Sequence, residues 1–177
     1  MPWIQTYTGK QIDPWNYSED DFCIEDVARS LAFTNRFSGH SSRPYSVAQH
    51  SLMVSELCDE DHALWGLLHD AAEAYIGDIA SPLKANFSYC GMPISELENR
   101  ILSVIMELHC LPASMPASVK HADTIACAAE RTVLMESDHD WGEIDEFARR
   151  FDLPRLQRMT HWTAEYEFTK RYKELAH

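Results

Sequence analysis

The sequence predicts an all-α fold, one helical bundle over residues 1–177 with a short N-terminal extended arm or hairpin, and three observations carry that prediction. Residues 61–78 (DHALWGLLHDAAEAYIGD), wound at about 100° per residue, put Leu64, Leu67, Leu68, Ala71 and Tyr75 on one broad apolar arc. Residues 94–108 (ISELENRILSVIMEL) repeat the pattern, with Ile94, Leu97, Ile101, Leu102, Ile105 and Leu108 on the face to be buried. A chain of 177 residues that is 45% hydrophobic and 24% charged is long enough for one well-cored domain and too short for two comfortable ones.

Composition also excludes partners. A net charge of −13 argues against a broad nucleic-acid groove or an anionic membrane surface, both of which need a positive field. A small anionic substrate stays compatible, provided that local Lys and Arg or a metal reverse the sign at the site. The five cysteines, Cys23, Cys58, Cys90, Cys110 and Cys127, form no Cys-x-x-Cys pair and fall mostly in apolar periodic runs, the pattern of reduced, packed thiols in a cytosolic protein. The start, MPWIQTYTG, has no basic stretch followed by an apolar run, and no apolar stretch approaches the length that spans a bilayer. The expectation is a soluble, cytoplasmic protein.

Taken in order, residues 3–17 hold short β-prone pieces around Gly9 and end near Pro14, the composition of a hairpin or extended arm. Ser18 and the acids after it cap a helix start, and residues 24–37 place Ile24, Val27, Ala28 and Leu31 at helical spacing. Residues 38–44 (SGHSSRP) read as a loop carrying His40 and Arg43, with Arg36 just before it. A second helix over residues 46–58 sets His50 on the apolar stripe of Val47, Val54 and Leu57. Residues 61–78 follow as one helix that Gly77 ends as a C-cap, leaving Asp78 at the mouth of the next loop. Ser81-Pro82 then reads as the cap and first position of a short helix, and residues 94–108 serve packing alone.

Ser114 and Pro116 open a helix to about residue 136, whose inner face is Val119, Asp123, Ala126, Cys127 and Leu134, with Lys120 and Glu130 flanking it as solvated charges. Residues 137–152 read as an acidic, irregular face, including a His139-Asp140 dipeptide to which no chemistry is assigned. Residues 155–176 close the chain as a helix that packs through Met159, Trp162 and Tyr166.

Three of these helices carry ionisable residues on inner faces. His69, Asp70 and Glu73 share a narrow arc with Gly66, and burying them is costly unless a cation compensates. A single His on an apolar stripe is ordinarily a satisfied core residue. His50, His69-Asp70 and Asp123 together, however, supply two imidazoles and two carboxylates, a set that suits a first-row divalent ion with positions left open for water. Such an ion lowers the pKa of its water and polarises a phosphoryl oxygen. Glu73, one turn from His69, is spaced to exchange a proton with that water or with the leaving group.

An isolated His, a later His-Asp pair and a distant Asp, all on helices between about Arg36 and Asp123, resemble the pattern of the HD-domain metal-dependent phosphohydrolases. More narrowly, the run HDAAEAYIGDIASPLK is similar to the equivalent segment of bacterial 5'-deoxynucleotidases and of their small phage relatives, including those that strip the triphosphate from dATP. The resemblance implies an HD-domain helical bundle and one divalent metal ion (Co, Mn, Zn or Mg) held by His50, His69, Asp70 and Asp123. It implies Glu73 as the catalytic acid/base, Asp78 as the residue that reads the deoxyribose, and Arg36, Arg43 and Lys84 as phosphate contacts. The deoxynucleotidases have Arg-Trp where this chain has Arg36-Phe37, so Phe37 takes the position of the contact to sugar or base.

The partners implied are a deoxynucleotide and further copies of the chain in a homo-oligomer, with neither nucleic acid nor membrane, in the cytoplasm (the host's, if phage-encoded). The reaction implied is hydrolysis at the α-phosphorus, either of a dNTP, releasing triphosphate, or of a dNMP, releasing inorganic phosphate. Both remain open at this point. Two-metal HD chemistries need further inward histidines, which His109, at the end of its helix, and His121, nearly opposite Asp123 on the wheel, do not supply. A catalytically inactive nucleotide-binding HD module would lack a ligand or the acid, and all five residues are present.

Overall fold

Helix α2 (Val47–Leu57) is the axis of the molecule, with every residue from Val47 to Ser55 buried. Around it lie α1 (Ile24–Phe33), α3 (Ala63–Leu68), α7 (Ala117–Leu134) and α9 (His161–Leu175). The computed structural model describes residues 3–89 and 91–176, and these are mostly helical, with little sheet. One apolar cluster runs through the bundle, joining Ile12, Leu31, Val54, Leu67, Leu68, Ile101, Val119 and Phe168. Truncating one of its Leu or Ile residues to Ala costs about 2–5 kcal/mol, because a packed interior closes only partly over the hole.

The N-terminal arm is a hairpin of β1 (Ile4–Gln5) and β2 (Gln11–Ile12), antiparallel with Ile4 opposite Ile12. It is pinned twice. Ile12 enters the core, and the turn residue Thr8 donates from its backbone N–H and its hydroxyl to the buried carboxylate of Asp26, at 2.7 and 2.8 Å. Ser18 opens only a short 3-10 turn, Glu19–Asp21, ahead of α1.

Helix α1 stops at Phe33 and does not reach residue 37 as the spacing predicts. The chain instead folds back on itself: Arg36 N–H donates to the Tyr45 carbonyl and Val47 N–H to that of Thr34, at 2.9 and 3.0 Å. Phe37 and Ser38 adopt left-handed backbone, at φ 56° and 51°, a cost of order 1 kcal/mol or more each. The loop of residues 34–46 delivers Arg36 and Phe37 to the mouth of the bundle.

The helix expected over residues 61–78 is three pieces: a 3-10 turn Glu60–His62, then α3, then α4 (Glu73–Ile76). Between α3 and α4 the donors reach back three residues, Ala71 to Leu68, Glu73 to Asp70 and Ala74 to Ala71. This tighter winding eclipses residues three apart. Asp70 and Glu73 therefore lie above one another. Gly66 itself is set by packing, since a Cβ there would meet Cys58 Sγ at 2.8 Å and the Ser55 backbone at 3.3 Å. Only glycine lets α3 lie this close to α2.

After Gly77 come α5 (Ser81–Lys84), a second small hairpin of β3 (Ser88–Tyr89) and β4 (Met92–Pro93), and α6 (Ile94–Leu108). Helix α6 has the expected bounds, but Leu102 is half-buried and Leu108 exposed, while Met106 is fully buried. Leu57 of α2 is likewise exposed. Residues 137–152 are not simply irregular, because they contain α8 (Glu143–Arg150) packed on α7. None of its residues is fully buried; Phe147 and, just beyond the helix, Phe151 meet His121 at ring-centroid distances of 5.5 and 5.2 Å.

Helix α9 begins at His161, with the Thr160 hydroxyl accepting from Thr163 N–H at 3.1 Å. The expected start at residue 155 fails because residues 152–160 cross the bundle without helical structure, laying Leu153, Leu156 and Met159 on the core. Trp162 and Tyr166 are 66% and 65% exposed; the buried residues of α9 are Ala164 and Phe168, on another face. Cys23, Cys58, Cys110 and Cys127 are free thiols, and Cys90 lies outside the described residues. Among the described residues no helix is long and apolar enough to cross a membrane.

Candidate metal centre and cleft

Three elements bring the candidate ligands together: His50 from the first turn of α2, His69 and Asp70 from the tight turn after α3, and Asp123 from α7. His50 Nε2 lies 3.2 Å from His69 Nε2 and 3.2 Å from Asp123 Oδ1. Asp70 Oδ2 lies 3.2 Å from His69 Nε2 and 3.8 Å from His50 Nε2. Ligand atoms of His50, His69 and Asp123 all fall within 4.8 Å of one another, so this cluster could hold a metal ion.

The far sides of both imidazoles decide their tautomers. His50 Nδ1–H donates to Glu130 Oε1 at 2.7 Å, and His69 Nδ1–H donates to the Gly66 carbonyl at 2.7 Å. Both partners only accept. With Nδ1 protonated, the neutral rings turn two bare Nε2 lone pairs towards each other at 3.2 Å, beside two carboxylates. The electron-pair donors of His50, His69 and Asp123 then converge with no proton between the two rings, and Asp70 Oδ2 stands on the imidazole side of the group. A cation at that point satisfies these three, and the mix of imidazole and carboxylate suits a first-row divalent ion.

Electrostatics of the metal-free protein give the same message. Burial and the Arg36 charge depress the His50 pKa, but Glu130 and Asp123 outweigh them and hold it up at about 9, so a proton stands in for the cation. Burial would raise Asp70, yet His69, His50 and Arg36 keep its carboxyl well below the usual range. Asp123 is held low in the same way, by its bond to His50 against the effect of burial.

Glu130 is the largest correction to the sequence reading. Far from being solvated, it is wholly buried between His50 Nδ1 and Arg36 Nε, the latter at 2.8 Å. Burial would raise its pKa, but Arg36 and then His50 lower it. It stands seven residues after Asp123, two helical turns along the same stripe, and that spacing is the signal that could have found it. Arg36 is thus engaged through Nε, and its Nη1 lies 3.8 Å from Asp70 Oδ2.

A cleft of about 670 Å³ opens beside the cluster. Arg36, Phe37, Asp70, Glu73, Asp78, Lys84 and Asp123 line it, and so does Lys120, which is 3.1 Å from Asp123 Oδ2. Arg43 is not among the lining residues; its carbonyl accepts from the Ser41 hydroxyl at 2.8 Å. Glu73 is almost fully buried, with Oε1 3.5 Å from Lys84 Nζ and Oε2 without a hydrogen-bond partner. Burial first, then the charges of Asp70 and Asp78, push its pKa up to about 9 against Lys84 and Arg36. Such a group carries a proton at neutral pH and has an oxygen free to pass it on. Burial also raises Asp78. Lys84 donates to Glu98 at 2.7 Å, which fixes it on the cleft wall.

Away from the cleft, His109 bonds the Ile105 carbonyl and the Tyr172 hydroxyl, both at 2.7 Å. A hollow of about 60 Å³ between α2 and residues 154–159 contains no imidazole.

No protein-family model matches the chain. Uncharacterized protein YfdR of Escherichia coli K12 is 41% identical over 134 residues, covering 76% of this chain and 73% of that protein. Uncharacterized protein RCAP_rcc00048 of Rhodobacter capsulatus is 34% identical over 161 residues, covering 81% of each.

Proposed function

We propose that this chain, which belongs to the same family as YfdR and RCAP_rcc00048, is a metal-dependent phosphohydrolase of the HD superfamily that acts on deoxynucleotides. The observation that carries the reading is the pair of Nε2 atoms facing one another at 3.2 Å beside Asp70 and Asp123, with Nδ1 of each ring held by an acceptor behind it. His50, His69, Asp70 and Asp123 would hold a single divalent ion. When bound there, such an ion supplies an acidified water as nucleophile and positive charge against the phosphoryl oxygens.

The remaining steps fall to the chain. Glu73, protonated and short of a partner for Oε2, delivers a proton to the leaving oxygen and takes one from the incoming water. Lys84 and Lys120 stand on the cleft walls as cations for the phosphate, and Arg36 orients Glu130 and thereby His50. Asp78, on the cleft wall, would accept from a sugar hydroxyl.

Charge favours the monophosphate over the triphosphate. Arg36, Lys84 and Lys120 face Asp70, Glu73, Asp78 and Asp123 in the cleft. Arg36 is already paired with Glu130 and Lys84 with Glu98, so with Glu73 protonated a divalent ion brings these groups only to neutrality, and a dianionic monophosphate adds two negative charges. A tetra-anionic triphosphate would add four to the same partly buried cleft, which is the less favourable of the two.

The test is product analysis with Mn, Co, Mg or Zn against dNMPs, dNTPs and their ribose counterparts. The reading predicts deoxynucleoside and inorganic phosphate from dNMPs. Intact triphosphate from dNTPs would reverse the charge argument alone, and no turnover with any metal would refute the hydrolase.

A further inference from the structure

The cleft has one aromatic wall that the proposed hydrolysis does not use. Trp141 lines it together with Asp70 and Asp123, with its ring centroid 6.1 Å from that of Phe37 and the two planes at 66°. Ile144 continues the apolar side. Trp141 sits in a loop of polar residues whose position is imposed by a largely buried cation.

Arg131, on α7, donates from Nη1 to the Met135 carbonyl at 2.6 Å and from Nη2 to the Ser137 and His139 carbonyls at 3.0 Å each. Its guanidinium carbon lies 5.1 Å from the Trp141 ring centroid. Asp145 lies 3.6 Å from Arg131 Nε and accepts from Trp141 N–H at 2.8 Å. Gly142, next in the chain, takes φ 60° and ψ −121°, a backbone conformation that side chains resist. Four separate devices therefore fix the direction of a single indole. Ordering such a loop costs conformational entropy that the core does not require.

We propose that Trp141 is the surface on which the base of the substrate stacks, with Phe37 at its edge and Arg131 as the residue that positions it. This deepens the reading of the cleft as a deoxynucleotide site and rests on it. The ligand class is a planar heteroaromatic ring carried on a phosphorylated sugar. The phosphate reaches the ligand cluster and the lysines, and the ring lies against the indole. Stacking recognises the π-face that all bases share, so Trp141 gives affinity for nucleotides over base-less sugar phosphates and little choice among bases.

The experiment is calorimetric titration of the Mn-loaded Glu73→Gln protein, in which turnover is suppressed, with dAMP and with 2-deoxyribose 5-phosphate. Trp141→Ala in that background should weaken dAMP about 5- to 150-fold and leave the base-less sugar phosphate unchanged. Trp141→Phe should keep most of the dAMP affinity, and Arg131→Met should reproduce the base-selective loss with an intact indole. Equal losses for both ligands in Trp141→Ala, or no loss for dAMP, would overturn the proposal. Failure of the hydrolase reading is separable: a wild-type protein that turns over no nucleotide while Trp141→Ala still loses dAMP selectively would discard the chemistry and keep the subsite.

Discussion

Replacing Glu130 by Gln removes one charge and almost no volume from a fully buried polar point of the protein. Its two carboxylate oxygens accept from His50 Nδ1–H at 2.7 Å and from Arg36 Nε–H at 2.8 Å. An amide has one accepting oxygen and one donating NH2, so it can serve only one of these donors. If the oxygen stays with His50, the NH2 faces Arg36 and a buried guanidinium loses its counter-charge. If the amide turns over, His50 Nδ1 becomes the acceptor, its proton moves to Nε2, and the lone pair facing the metal position disappears.

Breaking one half of a buried ion pair costs about 3–5 kcal/mol, and loss of a group that orients a ligand costs about 10- to 100-fold in metal affinity. For a chain of this size 3 kcal/mol corresponds to a fall in Tm of roughly 6–12 °C. The assay is thermal unfolding of the metal-free protein together with metal competition against a chelator. Arg36→Met added to Glu130→Gln should recover much of the stability, because no charge is then left unpaired, while metal affinity stays low. A Glu130→Gln protein with wild-type Tm and wild-type metal affinity would refute the role assigned to Glu130.

Other perturbations separate the parts of the account. Glu73→Gln should keep the metal and lower turnover by about 10²- to 10⁴-fold, read as phosphate release at matched metal content; equal turnover would remove Glu73 from the mechanism. Because the metal-free His50 is held up at about 9, a metal ion must displace its proton, so affinity should rise about tenfold per pH unit through neutrality and level off above about pH 9. The same raised pKa stabilises the metal-free fold fully below pH 6.5, and that contribution is lost as pH rises through about 9, which a pH series of melts would register. Gly66→Val should destabilise by about 1–3 kcal/mol, since its Cβ would lie 2.8 Å from Cys58 Sγ and 3.3 Å from the immovable Ser55 backbone; an unchanged melt would show that α2 and α3 can separate freely.

What could be read in the sequence follows from which interactions repeat along it. His50, His69, Asp70 and Asp123 each interrupt an apolar stripe of a helix, so a single period exposes them; the structure brings His50, His69 and Asp123 into one cluster and sets Asp70 beside the two imidazoles. Glu130 obeys the same period, but a charge on a helix is read as solvated unless its partner is known, and Arg36 comes from a loop ninety-four residues earlier. The tight winding after α3 leaves no mark on apolar spacing.

Helix α8 was hidden because it buries no residue completely. Its acids at the start and arginines at the end, which suit the helix dipole, were the available signal. On α9 hydrophobicity alone points to the large rings of Trp162 and Tyr166 as the core face, whereas the small Ala164 and Phe168 take it, because packing geometry rather than apolarity selects the face. Trp141 depends on a tertiary clamp, with three carbonyls gathered by one arginine, and no local pattern encodes that.

The central claim is that His50, His69, Asp70 and Asp123 make a site for one divalent ion. The most direct measurement is the metal content of the protein after equilibration with Mn and removal of free ion, for the wild type and for Asp123→Ala. The account predicts one ion per chain in the wild type and none in the variant. A metal-free wild type, or the same stoichiometry in both, would contradict it.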